Sequence, residues 1–247
     1  MQAFLVASVG ATLIALGPYG HARQHTIVID PGHGGDRSSG SVEQRTLSSP
    51  NNAKTPSGIL EKDIALELSK EIGRALEKRG FTAVLTRTDD TNPDFAKRAT
   101  IASEADPSAV MSIHFNASQD HNALGTLAMV SAKQRNPRYA EDLEFADGLS
   151  KSVSAAVARF VILSKPRAVI DDSHLHGGLG SNFFYQMAKR NNLDLVPKCF
   201  LEVEFIDRID VDEALVAQRK TTFPEIADAV ASYLSSYLSA NQTQPTR

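Results

Sequence analysis

Three short polar motifs constrain this chain more than any other feature, because each lies at the end of an apolar run or at the start of a helical pattern. His33 stands in a glycine-rich turn after the apolar run 26–29, and His114 follows the apolar run 109–113. Glu61 heads an amphipathic stretch between them. In open α/β sheets, ligand-binding groups gather at the carboxyl ends of strands. The three motifs therefore predict one shared site.

Two histidines and one carboxylate form the ligand set of a catalytic zinc, which keeps a fourth position open for water. Zinc lowers the pKa of bound water to about 7 and polarises a carbonyl group. The set predicts one Zn²⁺ per chain and the hydrolysis of an amide or ester. Considered alone, each residue also has an explanation without a metal. His33 could be an ordinary turn residue, and the helix dipole could favour Glu61 at the start of a helix.

Hydrolysis also needs a base that is not a metal ligand. The segment 198–206 is an apolar run that contains two carboxylates, Glu202 and Glu204. An acidic residue in a buried strand is costly unless it has a metal, a partner or a proton. Side chains alternate along a strand, so the two carboxylates are predicted to share a face. We expect at least one of them to face the metal.

The alternation of strand and helix patterns predicts a single three-layer α/β domain, with a twisted, mostly parallel or mixed sheet flanked by helices. The clearest helix is 63–78, where apolar residues recur on one face and Gly80 follows as a C-cap. The remaining helices are predicted at 94–105, 140–161, 182–191 and 223–238. Strands are predicted at 26–30, 81–87, 109–114, 125–130 and 198–206.

Together these motifs resemble the zinc-dependent N-acetylmuramoyl-L-alanine amidases of bacterial cell walls. Each motif is weak alone, but in family order along residues 25–237 the set is specific. The matching segments are Asp30–Gly34, Leu60–Asp63, Thr86–Arg87, Ser112–Ala117 and Val196–Ile206.

The resemblance implies that His33, Glu61 and His114 bind zinc and that Glu202 is the catalytic glutamate. It implies cleavage of the amide bond between N-acetylmuramic acid and the L-alanine of the peptidoglycan stem. Glu204 stands where the family usually has a small residue, and Asp207–Arg208 replaces a Ser-Asn pair.

Three further residues are candidates for support of the site or for substrate contact. Glu204 would tune Glu202, because two like charges on one face raise the pKa of one of them. Arg87 and Asn116 belong to matching motifs and are predicted to support the site or to contact the substrate.

Three other functions share parts of the pattern. A zinc peptidase would use the same metal and base on other peptide bonds. A glycosidase would use Glu202 and Glu204 as a carboxylate pair. An inactive or regulated peptidoglycan-binding protein would keep the fold, although the intact metal set argues against it.

The expected partners are peptidoglycan or small muropeptides. A net charge of −3 lacks the basic excess of a nucleic-acid-binding protein. We expect a monomer, and we expect regulation by a protein partner or by loop closure, because unrestrained hydrolysis of the host's own wall would be lethal.

The amino terminus indicates export. Residues 1–17 carry no charge and suit the apolar region of a secretory signal, with a small-residue cleavage site near Ala22. We predict a signal peptide over 1–22, a catalytic domain over 23–238 and a flexible tail over 239–247. The protein would then act in the periplasm, in the cell envelope or outside the cell. An uncleaved membrane anchor and a buried helix are the alternatives.

Two polar segments are predicted to be loops. The segment 36–58 is rich in Ser, Asn, Gly and Pro and is predicted to be a long mobile loop beside the cleft. His174 and His176 lie in a glycine-rich segment. A polar surface loop or a substrate-contacting rim is favoured there over a second metal site.

Overall fold

The computed structural model describes residues 24–242, so the predicted signal peptide over 1–22 lies outside the described residues. The strands are β1 (Thr26–Pro31), β2 (Thr82–Leu85), β3 (Ala109–Asn116), β4 (Leu127–Val130), β5 (Ile170–Asp171) and β6 (Lys198–Phe205). The helices are α1 (Glu61–Glu77), α2 (Phe95–Glu104), α3 (Tyr139–Val157), α4 (Asn182–Met187), α5 (Ile209–Val211) and α6 (Arg219–Gln242).

The six strands form one mixed sheet in the order β2-β1-β3-β6-β4-β5. All neighbouring strands are parallel except β4 and β6, which are antiparallel. The parallel strands β1, β3 and β6 lie side by side, so their carboxyl ends meet at one edge of the sheet. The predicted α/β class with a mixed sheet is confirmed.

Helices cover both faces of the sheet and complete the three layers. The larger core lies under α1, α3 and α6 and includes the buried Cys199, while the smaller core lies under α2 and α4. β1 and β3 are buried on both faces, which explains why their sequences are continuous apolar runs rather than alternating ones. Within residues 24–242, no helix has the length and apolarity that crossing a membrane requires.

The differences from the predicted elements lie at the ends of helices and in one short strand. α3 ends at Val157, and α4 ends at Met187. α6 continues to Gln242, which is inside the predicted tail. β5 was missed because its two residues are defined only by pairing with Met129 and Val130 of β4, and two residues carry no periodicity.

Candidate active site

The three predicted metal ligands meet at the carboxyl edge of the sheet. His33 follows β1, His114 lies near the end of β3, and Glu61 is the first residue of α1. Each can present one ligand atom so that the three atoms lie within 4.8 Å of one another, and all three residues are buried. No other group of three such residues among residues 24–242 has this arrangement.

The donor atoms of this cluster fit a metal ion. His33 Nδ1 lies 3.1 Å from the Ser49 carbonyl oxygen, and donation to that oxygen leaves the Nε2 lone pair free for a metal. His33 Nε2 is 3.1 Å from Glu61 Oε1 but forms no hydrogen bond. His114 Nε2 is likewise buried without a hydrogen-bond partner. Unpaired buried nitrogens of this kind are costly in a protein interior unless a ligand meets them.

Glu61 is held in its charged form. Burial opposes ionisation, but the hydrogen bond from His114 Nδ1 and the nearby His33 imidazole outweigh it and lower the pKa of Glu61 to about 2. Its Oε2 atom also accepts a hydrogen bond from the Ala53 amide at 3.0 Å. Burial lowers the pKa of His114, which favours the neutral imidazole that a metal requires. A carboxylate with two imidazoles suits zinc.

Gly32 is required by the close approach of the His114 ring. A Cβ atom on residue 32 would lie 2.3 Å from Cε1 of His114, so any side chain there would displace the imidazole. The ring stacks on Phe200 from its other side, with 4.0 Å between ring centroids. The glycine before His33 therefore makes room for the second histidine, which the sequence motif alone did not reveal.

Glu202 lies beside the cluster. It is paired in register with His114 across β3 and β6, and it lines the same cavity as His33 and Glu61. Its Oε2 atom is buried without a hydrogen-bond partner. Burial, and secondly the charge of Glu61, raise the pKa of Glu202 well above its ordinary value. A carboxyl group with a raised pKa beside a metal site is suited to proton transfer.

Glu204 does not lie in the cavity, contrary to the expectation that it shares the face of Glu202 and tunes it. The register between β3 and β6 shifts after His114, which indicates a bulge that breaks the simple alternation of side chains. The carboxylate of Glu204 accepts hydrogen bonds from the Gly125 amide at 2.6 Å, from the Phe205 amide at 2.8 Å and from the Ser164 hydroxyl. Glu204 therefore stabilises the bulge, and Glu202 and Glu204 do not form the carboxylate pair that a glycosidase would use.

Arg87 and Asn116 have different positions. Arg87 is buried and donates only to carbonyl oxygens, including those of Pro31 and Gly32 at 3.0 and 2.7 Å. It therefore supports the turn that carries His33. Asn116 lines the cavity, where a substrate would contact it.

A buried ion pair beneath the site was missed by sequence reasoning. Arg98 of α2 lies 2.9 Å from Asp30 of β1, and it also donates to the His33 carbonyl oxygen at 2.8 Å. His33 adopts a φ of 59°, a left-handed conformation that needs such support. The signal was present, because Asp30 is an acidic residue at the end of an apolar strand and must have a partner.

The cluster lies in a cavity of about 590 Å³, and its rim is formed by two loops. Ser49 and Asn52 of the first loop line the cavity, so the segment 36–58 borders the cleft as expected. The segment 36–58 is tied to the second loop, because Arg45 donates to the carbonyl oxygens of Leu179 and Gly180 at 2.9 and 2.8 Å. The second loop contains His174 and His176, which line the cavity and do not belong to the metal cluster.

The profile of the Amidase_3 family, described as N-acetylmuramoyl-L-alanine amidase, matches residues 27–236. The chain belongs to this family. The match covers the six strands except the first residue of β1, and it includes the three residues of the metal cluster and Glu202. It confirms the resemblance drawn from the motifs.

Individual relatives agree with the family match. The chain is 41% identical over 100 residues to "Probable cell wall amidase LytH" of Staphylococcus aureus, a segment that spans 40% of this chain and 29% of that relative. The structure is similar to N-acetylmuramoyl-L-alanine amidase AmiC2 of Nostoc punctiforme, with 25% identity and a TM-score of 0.61 over 87% of this chain and 97% of that one.

The fold is also shared with the CwlD amidase of Clostridioides difficile, solved in complex with the GerS lipoprotein. That likeness has 21% identity and a TM-score of 0.60 over 88% of this chain and 100% of that one. At this identity it shows a common fold and nothing further.

Proposed function

We propose that this Amidase_3 chain hydrolyses the amide bond between N-acetylmuramic acid and the L-alanine of a peptidoglycan stem peptide, with one Zn²⁺ held by His33, Glu61 and His114. The observation that carries the proposal is the buried cluster of these three residues, with unpaired Nε2 atoms on both histidines, at the base of a cavity that also contains Glu202.

Bound zinc would supply a Lewis acid that polarises the substrate carbonyl and lowers the pKa of a water molecule to about 7. Glu202 accepts the proton of the attacking water on its carboxylate and returns it to the nitrogen of L-alanine as the amide bond breaks. Burial and the charge of Glu61 raise the pKa of Glu202, which favours its protonated form and helps the group retain the water proton until it passes to the leaving nitrogen. Hydrogen bonding to Ser49 holds His33 in the orientation that ligation needs.

The proposed substrate lies outside the cytoplasm, and export of the chain is part of the proposal. The apolar, uncharged residues 1–17 are the candidate export signal. Amino-terminal sequencing of the protein from an envelope fraction tests this point, with a mature chain beginning near residue 23 as the expected result. A regulatory protein partner is also proposed, since an amidase with this fold has been solved in complex with a lipoprotein.

The deciding experiment is mass spectrometry of the soluble products after the purified protein meets peptidoglycan. We expect free stem peptides whose new amino terminus is L-alanine. The release should stop when a zinc chelator is added and return when Zn²⁺ is restored. A Glu202→Gln protein prepared in the same way is the control for a contaminating amidase.

Other products would point to other functions. New amino termini elsewhere in the stem would indicate a zinc peptidase. Release of sugar fragments that is indifferent to chelation would indicate a glycosidase. Binding of peptidoglycan without any product, in protein that contains one zinc per chain, would contradict the proposed activity.

A further inference from the structure

The segment 172–180 forms one wall of the cavity opening and is held in a defined shape. Asp172 is buried, and its carboxylate accepts hydrogen bonds from the Ala132 and Ser181 amides at 2.8 and 2.7 Å and from Arg135 at 2.8 Å. A Cβ atom on Gly180 would lie 2.5 Å from Asp172 Oδ2, so a glycine is required for this approach. The segment is therefore preorganised by contacts that do not involve its two histidines.

The two imidazoles of this segment are left available. His174 and His176 are exposed and line the same cavity as His33 and Glu202. Neither ring has a hydrogen-bond partner among residues 24–242. His176 adopts a φ of 49°, which a non-glycine residue holds at a cost of about 1 kcal/mol or more. The surrounding contacts impose this conformation, and the ring is thereby kept on the rim.

The charges of the cavity separate its base from its rim. The base contains the three residues proposed to hold zinc and Glu202, so the scissile amide must lie there. None of the described residues that line the cavity is a lysine or arginine. Apart from the two metal-ligand histidines, His174 and His176 are the lining side chains that can carry positive charge. A substrate that places its neutral amide at the base and a carboxylate at the rim would be complementary to both regions.

We propose that His174 and His176 bind a free carboxylate of the substrate's peptide portion and so select acidic stem peptides over amidated ones. The inference rests on the proposed amidase function and adds the substrate class. It makes the two residues a specificity site that is separate from the metal cluster. An imidazole N–H donating to a carboxylate forms a charge-assisted hydrogen bond when the ring is protonated, which is stronger than a bond to an amide oxygen.

The test uses two muramoyl-L-alanyl peptides that differ only in whether the carboxyl group on the residue after L-alanine is free or amidated. The variants are His174→Gln, His176→Asn and the double variant, since asparagine tolerates the left-handed conformation of residue 176. Ser173→Ala is the matched control, because Ser173 is exposed on the same segment and does not line the cavity.

We expect kcat/KM for the free carboxylate to fall about tenfold in the double variant, as for the loss of a hydrogen bond to a charged group. The value for the amidated peptide and the zinc content should stay unchanged. Ser173→Ala should match the wild type on both peptides. An equal loss on both peptides, or no loss on either, would overturn the proposal.

A binding measurement separates this inference from the proposed function. If the wild-type protein hydrolyses neither peptide, the amidase proposal is the one that has failed. Calorimetry with the free and amidated peptides then tests the rim alone. We expect the wild type to bind the free carboxylate more tightly and the double variant to lose that preference; a preference that is missing in the wild type or kept in the double variant would refute the rim site.

Discussion

The base and the rim of the cavity are built in opposite ways. At the base, His33, His114 and Glu202 lie at or near the ends of buried parallel strands, and their positions follow from the register of the sheet. At the rim, the segments 36–58 and 172–180 contain no long strand or helix, and side chains such as Arg45 and Asp172 hold them by binding backbone groups. The base is therefore specified by the fold, and the rim by individual contacts that can vary without changing the fold.

The largest expected effect is at the base, in His33→Ala. Removal of one imidazole leaves two ligands, so zinc should be lost on dialysis and product release should fall below about one-hundredth of the wild-type rate. Metal analysis by mass spectrometry and product release measure the two effects. His121→Ala is the control, because His121 pairs with Asp207 outside the cavity and should keep its zinc. One zinc per chain in His33→Ala would contradict the assigned ligand set.

The next effect compares two carboxylates of one strand. Glu202→Gln should lower kcat by about 10²–10⁴ while zinc stays bound, because the variant loses its proton acceptor and keeps the ligands. Glu204→Gln should keep most of its activity, since Glu204 stabilises the bulge and does not line the cavity. Steady-state kinetics on the two zinc-loaded variants measures the difference. If Glu204→Gln were the inactive one, the roles assigned to the two residues would be reversed.

Below the base, Arg98→Met should reduce the free energy of unfolding by about 3–5 kcal/mol, because it leaves Asp30 as an unpaired buried charge. Urea denaturation measures the loss. The exposed pair Lys151–Asp147 gives the control, and Lys151→Ala should cost less than about 1 kcal/mol. The Asp30→Asn/Arg98→Met double variant should recover part of the loss. Additive losses would show that the two residues are not coupled.

The bulge beside the base should show a pH dependence. Burial raises the pKa of Glu204 above its ordinary value of 4.5, although hydrogen bonds from Ser164, Phe205 and Gly125 oppose the shift. The folded protein therefore binds this proton more tightly than the unfolded chain does. The contribution to stability is complete below pH 4.5 and is lost as the pH rises through the raised pKa.

The neutral Glu204→Gln variant lacks this titration. The unfolding free energy of the wild type should therefore decline, relative to that of the variant, as the pH rises from about 4.5 through the raised pKa of Glu204. Urea denaturation at several pH values measures the difference. A constant difference across that range would show that Glu204 titrates alike in both states.

The smallest expected effect is at the rim, in Arg45→Ala. The change removes hydrogen bonds to Leu179 and Gly180 and the packing of the guanidinium on Tyr185. We expect a loss of about 1–2 kcal/mol in unfolding free energy, a raised KM and unchanged zinc content. Arg37→Ala, at an exposed position of the same loop, should leave all three unchanged. Loss of zinc in Arg45→Ala would show that the base and the rim are not independent.

Much of the base could be predicted because its polar side chains follow or interrupt apolar strands. Burying a histidine or a carboxylate at the end of an apolar strand costs free energy unless the group has a metal or another partner. His33, His114 and Glu202 could therefore be grouped before their positions were known. The same argument applied to Asp30 would have required a buried cation, although it could not have chosen Arg98 over another basic residue. The number of residues between two positions does not show which face of a helix packs against which strand.

The failures at Glu204 and in the loop 36–58 have a common cause. Strict alternation placed Glu204 beside Glu202, but one extra residue in a bulge redirects a side chain, and a bulge leaves no trace in apolar periodicity. The polar composition of 36–58 predicted mobility, whereas Arg45 and Gln186 connect the loop to the segment that follows β5. Contacts between residues 40 to 141 positions apart decided the partners of Glu204 and the order of the loop.

The sequence by itself determined the α/β class, the strands that form the centre of the sheet and the set of residues able to bind a metal, because periodicity and the cost of burying polar groups are local properties. Only the tertiary structure decided which carboxylate of β6 faces the cavity, which cation supports the His33 turn and where the two rim imidazoles point. Those outcomes depend on register, on close approach at Gly32 and Gly180 and on pairings across the chain. Such contacts are fixed when the layers pack together, and no short stretch of sequence contains them.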